Sequence, residues 1–359
     1  MTVAIKFMQP GETDLWDAYV NNHPYGSAYH YSAWGKVIYQ TYGHQIFNLV
    51  AKDPDGALVG ILPLVHINHF LFGNNLFSLP FVDLGGILAD SADVEQALLY
   101  RATEIAHEHN IPSVEFRQTY FLTGAGKTSA AGFQWNKNSS QQAEKVRMLL
   151  ELPDSSEELM ASFRSKLRSQ IRRPLKDGLT TRVGGAELLD DFYTVFAENM
   201  RDLGSPVHSK KFLRNLQSEL SENTRIFIVY QGNTPLACSF TLRHKNCLAN
   251  PWASSLHKYS RLSPNMLLYW TMLEYACDNG LATFDFGRST PGGGSYKFKE
   301  QWGATEQPLY WQVFTTQQHI SDCLTVHKSK FELAMFVWKR LPVSVSKLIG
   351  PVIRKNIGL

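Results

Sequence analysis

Paired cysteine motifs, nucleotide-binding glycine motifs and a strong net charge are all missing from this chain of 359 residues. Its four cysteines lack the spacing of a zinc site, no histidine pair accompanies them, and they do not suggest a disulfide framework. The N-terminus has no basic segment followed by an apolar run, and no stretch of 18 consecutive residues is apolar throughout, so we expect neither a secretory signal nor a membrane-spanning helix. The sequence therefore predicts a cytoplasmic protein without a metal site.

Positive and negative charges nearly cancel, with 35 lysines and arginines against 32 acids and a formal charge of +3. Such a balance does not indicate a nucleic-acid or membrane binder as a whole, so a basic surface has to be local. Two segments qualify. One is the basic segment over 164–176, and the other is the C-terminal tail from Val326 to Leu359, where Glu332 is the single acid among seven basic residues.

In the first half, hydrophobic periodicity and turn residues predict a mixed order of strands and helices. The turn Asp53-Pro54-Asp55-Gly56 indicates a hairpin, and a polar segment over 118–145 suggests a loop between two halves. The predicted elements are a strand over 3–7, helices over 12–21 and 30–42, hairpin strands over 46–52 and 57–67, a helix over 94–110 and a strand over 111–117.

The second half repeats this order. A helix runs from Asp154 to Arg173, where Pro174 is predicted to disturb it, and Ser263-Pro264 caps a helix that Gly280 ends. The other predicted elements are a strand over 147–152, helices over 188–203 and 210–220, hairpin strands over 225–231 and 234–243, and strands over 247–253 and 282–286. Repetition of the order predicts an α/β fold of two duplicated domains, each a mixed sheet with helices on both faces.

The most informative stretch is Phe284-Asp285-Phe286-Gly287-Arg288-Ser289, continuing through Gly292-Gly293-Gly294 into a segment with two lysines. Neither GxxxxGK[ST] nor GxGxxG is present, so the three glycines predict a flexible lid rather than a nucleotide cradle. Arg288 suits a phosphate or carboxylate, because its planar fork donates two parallel hydrogen bonds. Asp285 is a candidate to orient Arg288 or to accept a proton, although a strand-end carboxylate is also a common structural acceptor.

Several of these segments resemble the FemAB-type aminoacyl/acyltransferases, which are built from two GNAT-like domains. The resemblance covers nearly the whole chain and includes the basic helix before Gly178-Leu179. The closing residues from Trp338 to Pro351 look like the related branch associated with exopolysaccharide and PEP-CTERM sorting loci. The segments that carry it are Leu79-Pro80-Phe81-Val82-Asp83-Leu84-Gly85-Gly86, Tyr259-Ser260-Arg261-Leu262-Ser263-Pro264-Asn265, Phe284 to Ser289, and Tyr296-Lys297-Phe298-Lys299-Glu300-Gln301-Trp302-Gly303.

This resemblance implies GNAT-like domains over 1–145 and 146–316, followed by a basic amphipathic tail over 317–359. It also implies acyl transfer to an amine on a cell-envelope precursor, of peptidoglycan or exopolysaccharide, that is UDP- or lipid-linked. Lys299 is the lysine of the matching Phe-Lys pair, to which the family's electrostatic stabilisation is attributed. We assign catalytic roles to Lys299 and Asp285, and substrate binding to Arg288, Ser289, Asn265, Tyr296, Phe298, Lys297, Arg168 and Arg172.

The donor stays open between aminoacyl-tRNA and acyl-CoA, and no tightly bound cofactor is expected. GNAT enzymes that use coenzyme A hold its pyrophosphate on a glycine-rich turn before the long helix. Here that position reads Arg261-Leu262-Ser263-Pro264-Asn265 in the second half and Gly85-Gly86-Ile87-Leu88-Ala89-Asp90 in the first, which disfavours coenzyme A. An acyl-CoA N-acyltransferase acting on an amino sugar and a non-catalytic scaffold of polysaccharide assembly remain alternatives.

Both basic segments have a functional and a structural interpretation. Six cations without an intervening acid over 164–176 favour an anionic partner such as a tRNA acceptor stem or a pyrophosphate, or else form a solvated face. The basic, aromatic tail suits peripheral contact with the inner-membrane surface, or else packs on the second domain.

Overall fold

The computed structural model describes residues 3–122, 133–135, 145–316 and 328–358. They divide into two compact units. Unit 1 contains Met1–Lys145, Pro308–His327 and Lys355–Leu359, and unit 2 contains Val146–Gln307 and Lys328–Arg354. Most of the loop predicted over 118–145 and the start of the predicted tail lie outside the described residues.

Unit 1 is built from two sheets and three helices within its described part. Strands β1, β3, β4 and β7 form one antiparallel sheet, while β2, β5, β6 and β8 form the other, in which β6 and β8 run parallel. The elements are β1 (Ala4–Phe7), α1 (Thr13–Asn22), α2 (Ala33–Tyr42), β2 (Gln45–Ile46), β3 (Leu49–Lys52), β4 (Leu58–Leu62), β5 (Val65–His69), β6 (Gly73–Phe77), β7 (Leu88–Ala89), α3 (Ala92–Glu108), β8 (Ser113–Gln118) and β9 (Phe133–Trp135).

A buried arginine organises the end of strand β8. Arg117 is 1% exposed, donates to the Glu115 carboxylate at 2.8 Å and to two backbone carbonyls, and lies over the Trp311 ring at 4.8 Å. One of those carbonyls belongs to Gly358, so the arginine fixes the chain's last described residues on unit 1. A buried charge with this many partners is compensated by its ion pair and hydrogen bonds.

Unit 2 contains one six-stranded sheet in the order β11-β12-β13-β14-β15-β10, in which β14 and β15 are parallel. Its described elements are β10 (Lys145–Glu151), α4 (Ser156–Ser162), α5 (Ser165–Lys176), β11 (Leu179–Gly184), α6 (Leu189–Leu203), α7 (Lys210–Glu219), β12 (Thr224–Gln231), β13 (Thr234–His244), β14 (Cys247–Ser255), α8 (Pro264–Asp278), β15 (Thr283–Ser289), α9 (Gly294–Glu300), β16 (Thr305–Thr316), α10 (Lys328–Trp338) and α11 (Val343–Arg354). Strand β16 passes into unit 1 at Pro308 and pairs there with β8.

Helices cover both faces of this sheet because its strands bury apolar residues on both sides. Phe227 of β12 packs edge-on against Tyr275 of α8, whereas Phe240 of β13 packs against Phe192 of α6. Phe240 pairs with Ile226, the neighbour of Phe227, so the two phenylalanines point to opposite faces. The α/β fold with a mixed sheet between helices is thereby confirmed.

Three predicted elements are wrong. The strand predicted over 46–52 is two strands, β2 and β3, which belong to different sheets. Proline is involved in the other two. The strand predicted over 57–67 is two strands, β4 and β5, separated at Pro63, which cannot donate to a ladder. Conversely, Pro174 does not end the basic helix, which continues to Lys176. The break comes earlier, because Phe163 and Arg164 adopt extended conformations between α4 and α5. Pro174 is tolerated one turn from the helix end, where only one hydrogen bond is lost.

The tail packs on unit 2 as two helices. A Cβ atom added to Gly350 of α11 would lie 3.1 Å from the Val207 backbone nitrogen, so this helix packs closely on unit 2. Arg201 of α6 donates a hydrogen bond to the Leu341 carbonyl at 2.8 Å. Trp338 is buried as well. Packing on the second unit, one of the two interpretations of the basic tail, is therefore present in the structure.

Candidate functional site

The parallel strands β14 and β15 separate partway along their length. Their pairing covers Cys247 to Ala249 on one strand and Thr283 to Asp285 on the other. The next two residues of β14 are Asn250 and Pro251, where the register with β13 also shifts. Proline has no N–H to donate, so the ladder cannot continue through it. The separation leaves backbone and side-chain polar groups between the two strands.

Two buried polar side-chain atoms lie just beyond the last paired residues. Asn250 Oδ1 accepts from the Ser239 hydroxyl at 2.7 Å, and the Asn250 side chain also interacts with the Tyr269 phenol. Ser289 Oγ, at the end of β15, has no hydrogen-bond partner. Both residues are at most 4% exposed. Buried polar atoms without partners are rare and costly, so Ser289 Oγ is a candidate to meet a ligand.

The turn within β15 is held by Asp285. Its Oδ1 accepts from the Gly287 N–H at 2.8 Å, and its Oδ2 lies 3.4 Å from the Arg147 guanidinium of β10. Arg147 in turn donates to Gln307. Gly287 has a φ of +74°, and the register between β10 and β15 shifts at this point. The carboxylate therefore fixes a bulge at the position where the sheet opens.

Lys299 reaches this bulge from helix α9. Its ammonium donates to the carbonyls of Gly287 at 2.9 Å and of Arg288 at 2.8 Å, and the side chain is 6% exposed. Carbonyls in a regular strand are satisfied by a neighbouring strand, but these two lie where pairing is irregular. Lys299 thus brings a buried positive charge to the opening between β14 and β15.

An aromatic cluster supports α9 against the sheet. Tyr269 of α8 stacks on Phe286 with ring centroids 5.5 Å apart, and Phe298 contacts Tyr269 edge-on at 4.9 Å. Trp302 contacts Phe298 and Phe163. Burial raises the pKa of Tyr269 to about 12, which keeps its phenol protonated. The cluster fixes the position of α9 relative to the sheet, and therefore also the position of Lys299.

Substitution of Gly287 by alanine should destabilise the protein by about 1–3 kcal/mol, because its positive φ strains any other residue. A Cβ there would also lie 3.1 Å from the Asn250 carbonyl, which is backbone and cannot easily move. Urea unfolding would measure the loss. Gly292→Ala is the matched control, because that glycine also has a positive φ, +73°, but open space around it. A larger loss at Gly292 would contradict the tight contact at Gly287.

The opposite side of α9 lines a cavity of about 1120 Å³. Lys297 and Trp302 contribute to it from α9 and the turn after it, and Arg164, Lys166 and Gln170 contribute from the basic segment. Three carboxylates also line it, those of Glu151, Glu158 and Glu300. The cavity is therefore lined by both cations and carboxylates. Cations can bind phosphates of a substrate, and carboxylates can bind its ammonium group.

The other predicted residues lie in several places. Arg168 and Arg172 line a separate cavity of about 580 Å³ with Trp270 and Glu274. Asn265 is half-buried in the first turn of α8. Partial burial and the Glu306 carboxylate raise the pKa of Tyr296. The structure thus brings Lys299, Asp285, Arg288 and Ser289 to one strand end, and places Lys297 in the larger cavity. In the described residues, no group of three histidines, cysteines or acids is arranged to hold a metal ion.

Sequence reasoning missed Asn250 and Arg147. A signal for the first was present, since the Asn-Pro pair interrupts an otherwise apolar strand and marks a bulge. No signal identified Arg147, because its partner Asp285 is 138 residues away along the chain.

Comparisons with known proteins agree with this geometry. Residues 161–300 match the family model described as an acetyltransferase (GNAT) domain. A UDP-N-acetylmuramoylpentapeptide-lysine N(6)-alanyltransferase of Weissella viridescens is 22% identical over an alignment of 295 residues, and the alignment covers 77% of this chain and 84% of that protein. The crystal structure of FemX has a TM-score of 0.68 at 17% identity, covering 89% of this chain and 99% of FemX.

A tandem GNAT protein from the clavulanic acid biosynthesis pathway shares the fold as well, with a TM-score of 0.52 and 12% identity over 88% of this chain and 98% of that one. Residues 161–300 therefore form a domain of the acetyltransferase (GNAT) type. The similarity to the alanyltransferase and to FemX agrees with the resemblance of the sequence to the FemAB-type enzymes. The link of this chain to the exopolysaccharide branch stays a prediction.

Proposed function

We propose that this protein transfers an aminoacyl group from aminoacyl-tRNA to an amine of a peptidoglycan precursor. The observation that carries the proposal is the cavity of about 1120 Å³ shared by the basic segment and α9, which has both phosphate-binding cations and carboxylates that suit an ammonium group. The Weissella relative supports it, because its name describes alanyl transfer to a lysine of a UDP-linked pentapeptide.

The reaction needs positioning and charge more than covalent catalysis. The bound ammonium first loses one proton to solvent. The resulting neutral amine attacks the ester carbonyl, an N–C bond forms, and the C–O bond to the tRNA ribose breaks. The proton lost by the amine goes to the departing ribose oxygen. Negative charge develops on the carbonyl oxygen in between, and a fixed cation lowers the energy of that state.

We assign that cation to Lys299. Its two strand carbonyls hold the ammonium in place before substrate binds, so little reorganisation is needed during the reaction. Asp285 acts as a positioning residue through Gly287 and Arg147. Arg288 and Ser289 follow on the same strand, where Ser289 Oγ is available to the substrate. Arg164 and Lys166 contact the phosphates of the donor.

Coenzyme A is a poorer fit than tRNA at the start of α8. Ser263 has a φ of +52°, Pro264 has no N–H, and the Met266 N–H already donates to the Ser263 carbonyl. A pyrophosphate on a helix N-terminus needs several free amides. This helix start offers few.

A donor panel tests the proposal. Purified protein is incubated with labelled alanyl-tRNA, seryl-tRNA or acetyl-CoA, and with UDP-MurNAc-pentapeptide or an amino-sugar acceptor. We expect label to move from a charged tRNA to the pentapeptide. Transfer from acetyl-CoA to the amino sugar would replace the proposal with the acyl-CoA alternative, and transfer with no pair would favour the scaffold.

A further inference from the structure

Helix α11 presents an apolar stripe to solvent. Leu348 is 76% exposed and Val352 is 62% exposed, and Val345 and Ile349 are exposed beside them. Intervals of three, four and seven residues place all four on one side of the helix. Such a continuous exposed stripe is unusual in a soluble protein and marks an interaction surface.

The opposite side of α11 explains why the stripe stays outside. Ser346, Gly350 and Arg354 are buried, and Gly350 lies against Val207, where a larger side chain would not fit. The helix is therefore held in one rotational setting on unit 2. The apolar stripe is therefore exposed because this orientation of the helix is fixed by packing.

Helix α10 has the same character. Leu333 is 63% exposed, and Phe336 and Val337 are exposed at intervals of three and four residues, while Trp338 is buried at the end of the helix. Both helices thus keep apolar side chains in solvent although each also contacts α6. We call the seven exposed residues of α10 and α11 the tail face.

Positive charge accompanies the tail face. Lys339 and Arg340 are exposed in the turn between the two helices, whereas the Lys347 ammonium of α11 lies over the Tyr193 ring of α6. The Arg340 guanidinium lies over the Phe336 ring at 3.4 Å. Glu332 is the acid in this part of the chain. Apolar side chains together with cations match an anionic bilayer, where the former enter the acyl boundary and the latter meet headgroups.

We propose that the tail face docks this protein on an anionic lipid bilayer as a peripheral protein. A second copy of the chain is a poorer occupant, because two basic faces would repel each other. None of the described helices has the length and apolarity needed to cross a bilayer, so the contact lies at the surface. Membrane docking does not depend on the identity of the acyl donor.

Vesicle sedimentation tests the docking. Full-length protein is mixed with phosphatidylcholine vesicles that contain either no phosphatidylglycerol or about one-third of it. Wild-type protein should bind the anionic vesicles and not the neutral ones. Leu348→Ser with Val352→Ser should bind at least about tenfold more weakly. Lys339→Gln with Arg340→Gln should lose about fivefold for each charge removed.

The matched control is Leu15→Ser with Val183→Ser, which removes two exposed apolar side chains elsewhere and should leave binding unchanged. Circular dichroism and light scattering check folding and oligomeric state for each variant. Equal sedimentation with both vesicle types, or unchanged binding of the Leu348/Val352 variant, overturns the proposal. So does a wild-type dimer that this variant dissociates, since the tail face would then join two copies.

Discussion

Lys299→Met is expected to lower kcat by at least about a hundredfold. The substitution keeps the approximate volume of the side chain and removes the buried positive charge that Lys299 brings to the opening of β14 and β15. It also leaves the buried carbonyls of Gly287 and Arg288 without this donor, which should cost about 2–4 kcal/mol of unfolding free energy. Transfer assays and urea unfolding on the same preparation measure both effects.

Two controls separate the lost charge from the lost stability. Lys211→Met removes an exposed lysine of α7 and should change neither quantity. Leu216→Ala creates a core cavity in the same unit and should cost about 2–4 kcal/mol, like Lys299→Met, but keep kcat. If Leu216→Ala lowers kcat as much as Lys299→Met does, stability explains the loss and Lys299 has no catalytic role.

The sequence could predict the elements and their repeated order because each depends on nearby residues. Pro264 opens α8 and Asn233 lies in the turn of a hairpin, both as expected, whereas the Ser263 side chain does not cap the helix. Two of the errors involve Pro63 and Pro174, whose effect depends on whether the missing N–H has a partner in the fold. The residues next to a proline in the sequence do not show whether such a partner exists.

The candidate site was predictable only in part for a related reason. Lys299, Asp285 and Arg288 lie close together in the sequence, so a local motif could identify them. Whether Lys299 faces solvent or the strand depends on the aromatic cluster around Tyr269, which comes from another helix. The division of the basic segment between two cavities depends on the break at Phe163, which the sequence interpretation placed ten residues later.

That division decides which cations should contact the donor. Arg164→Gln with Lys166→Gln removes the two that line the larger cavity, whereas Arg168 and Arg172 face the smaller one. If each phosphate contact is worth about 1 kcal/mol, loss of both should raise the KM for aminoacyl-tRNA about thirtyfold at low salt. The slope of log KM against log salt should fall by about 1 for each contact.

Lys211→Gln with Arg214→Gln changes the net charge equally on exposed positions of α7 and serves as the control. It should leave both KM and the salt slope near their wild-type values. Equal changes in the two variants would mean that the donor senses only overall charge. A raised KM with an unchanged salt slope would instead mean that Arg164 and Lys166 shape the cavity without binding phosphate, and the donor's phosphates would then have to be sought near Arg168 and Arg172.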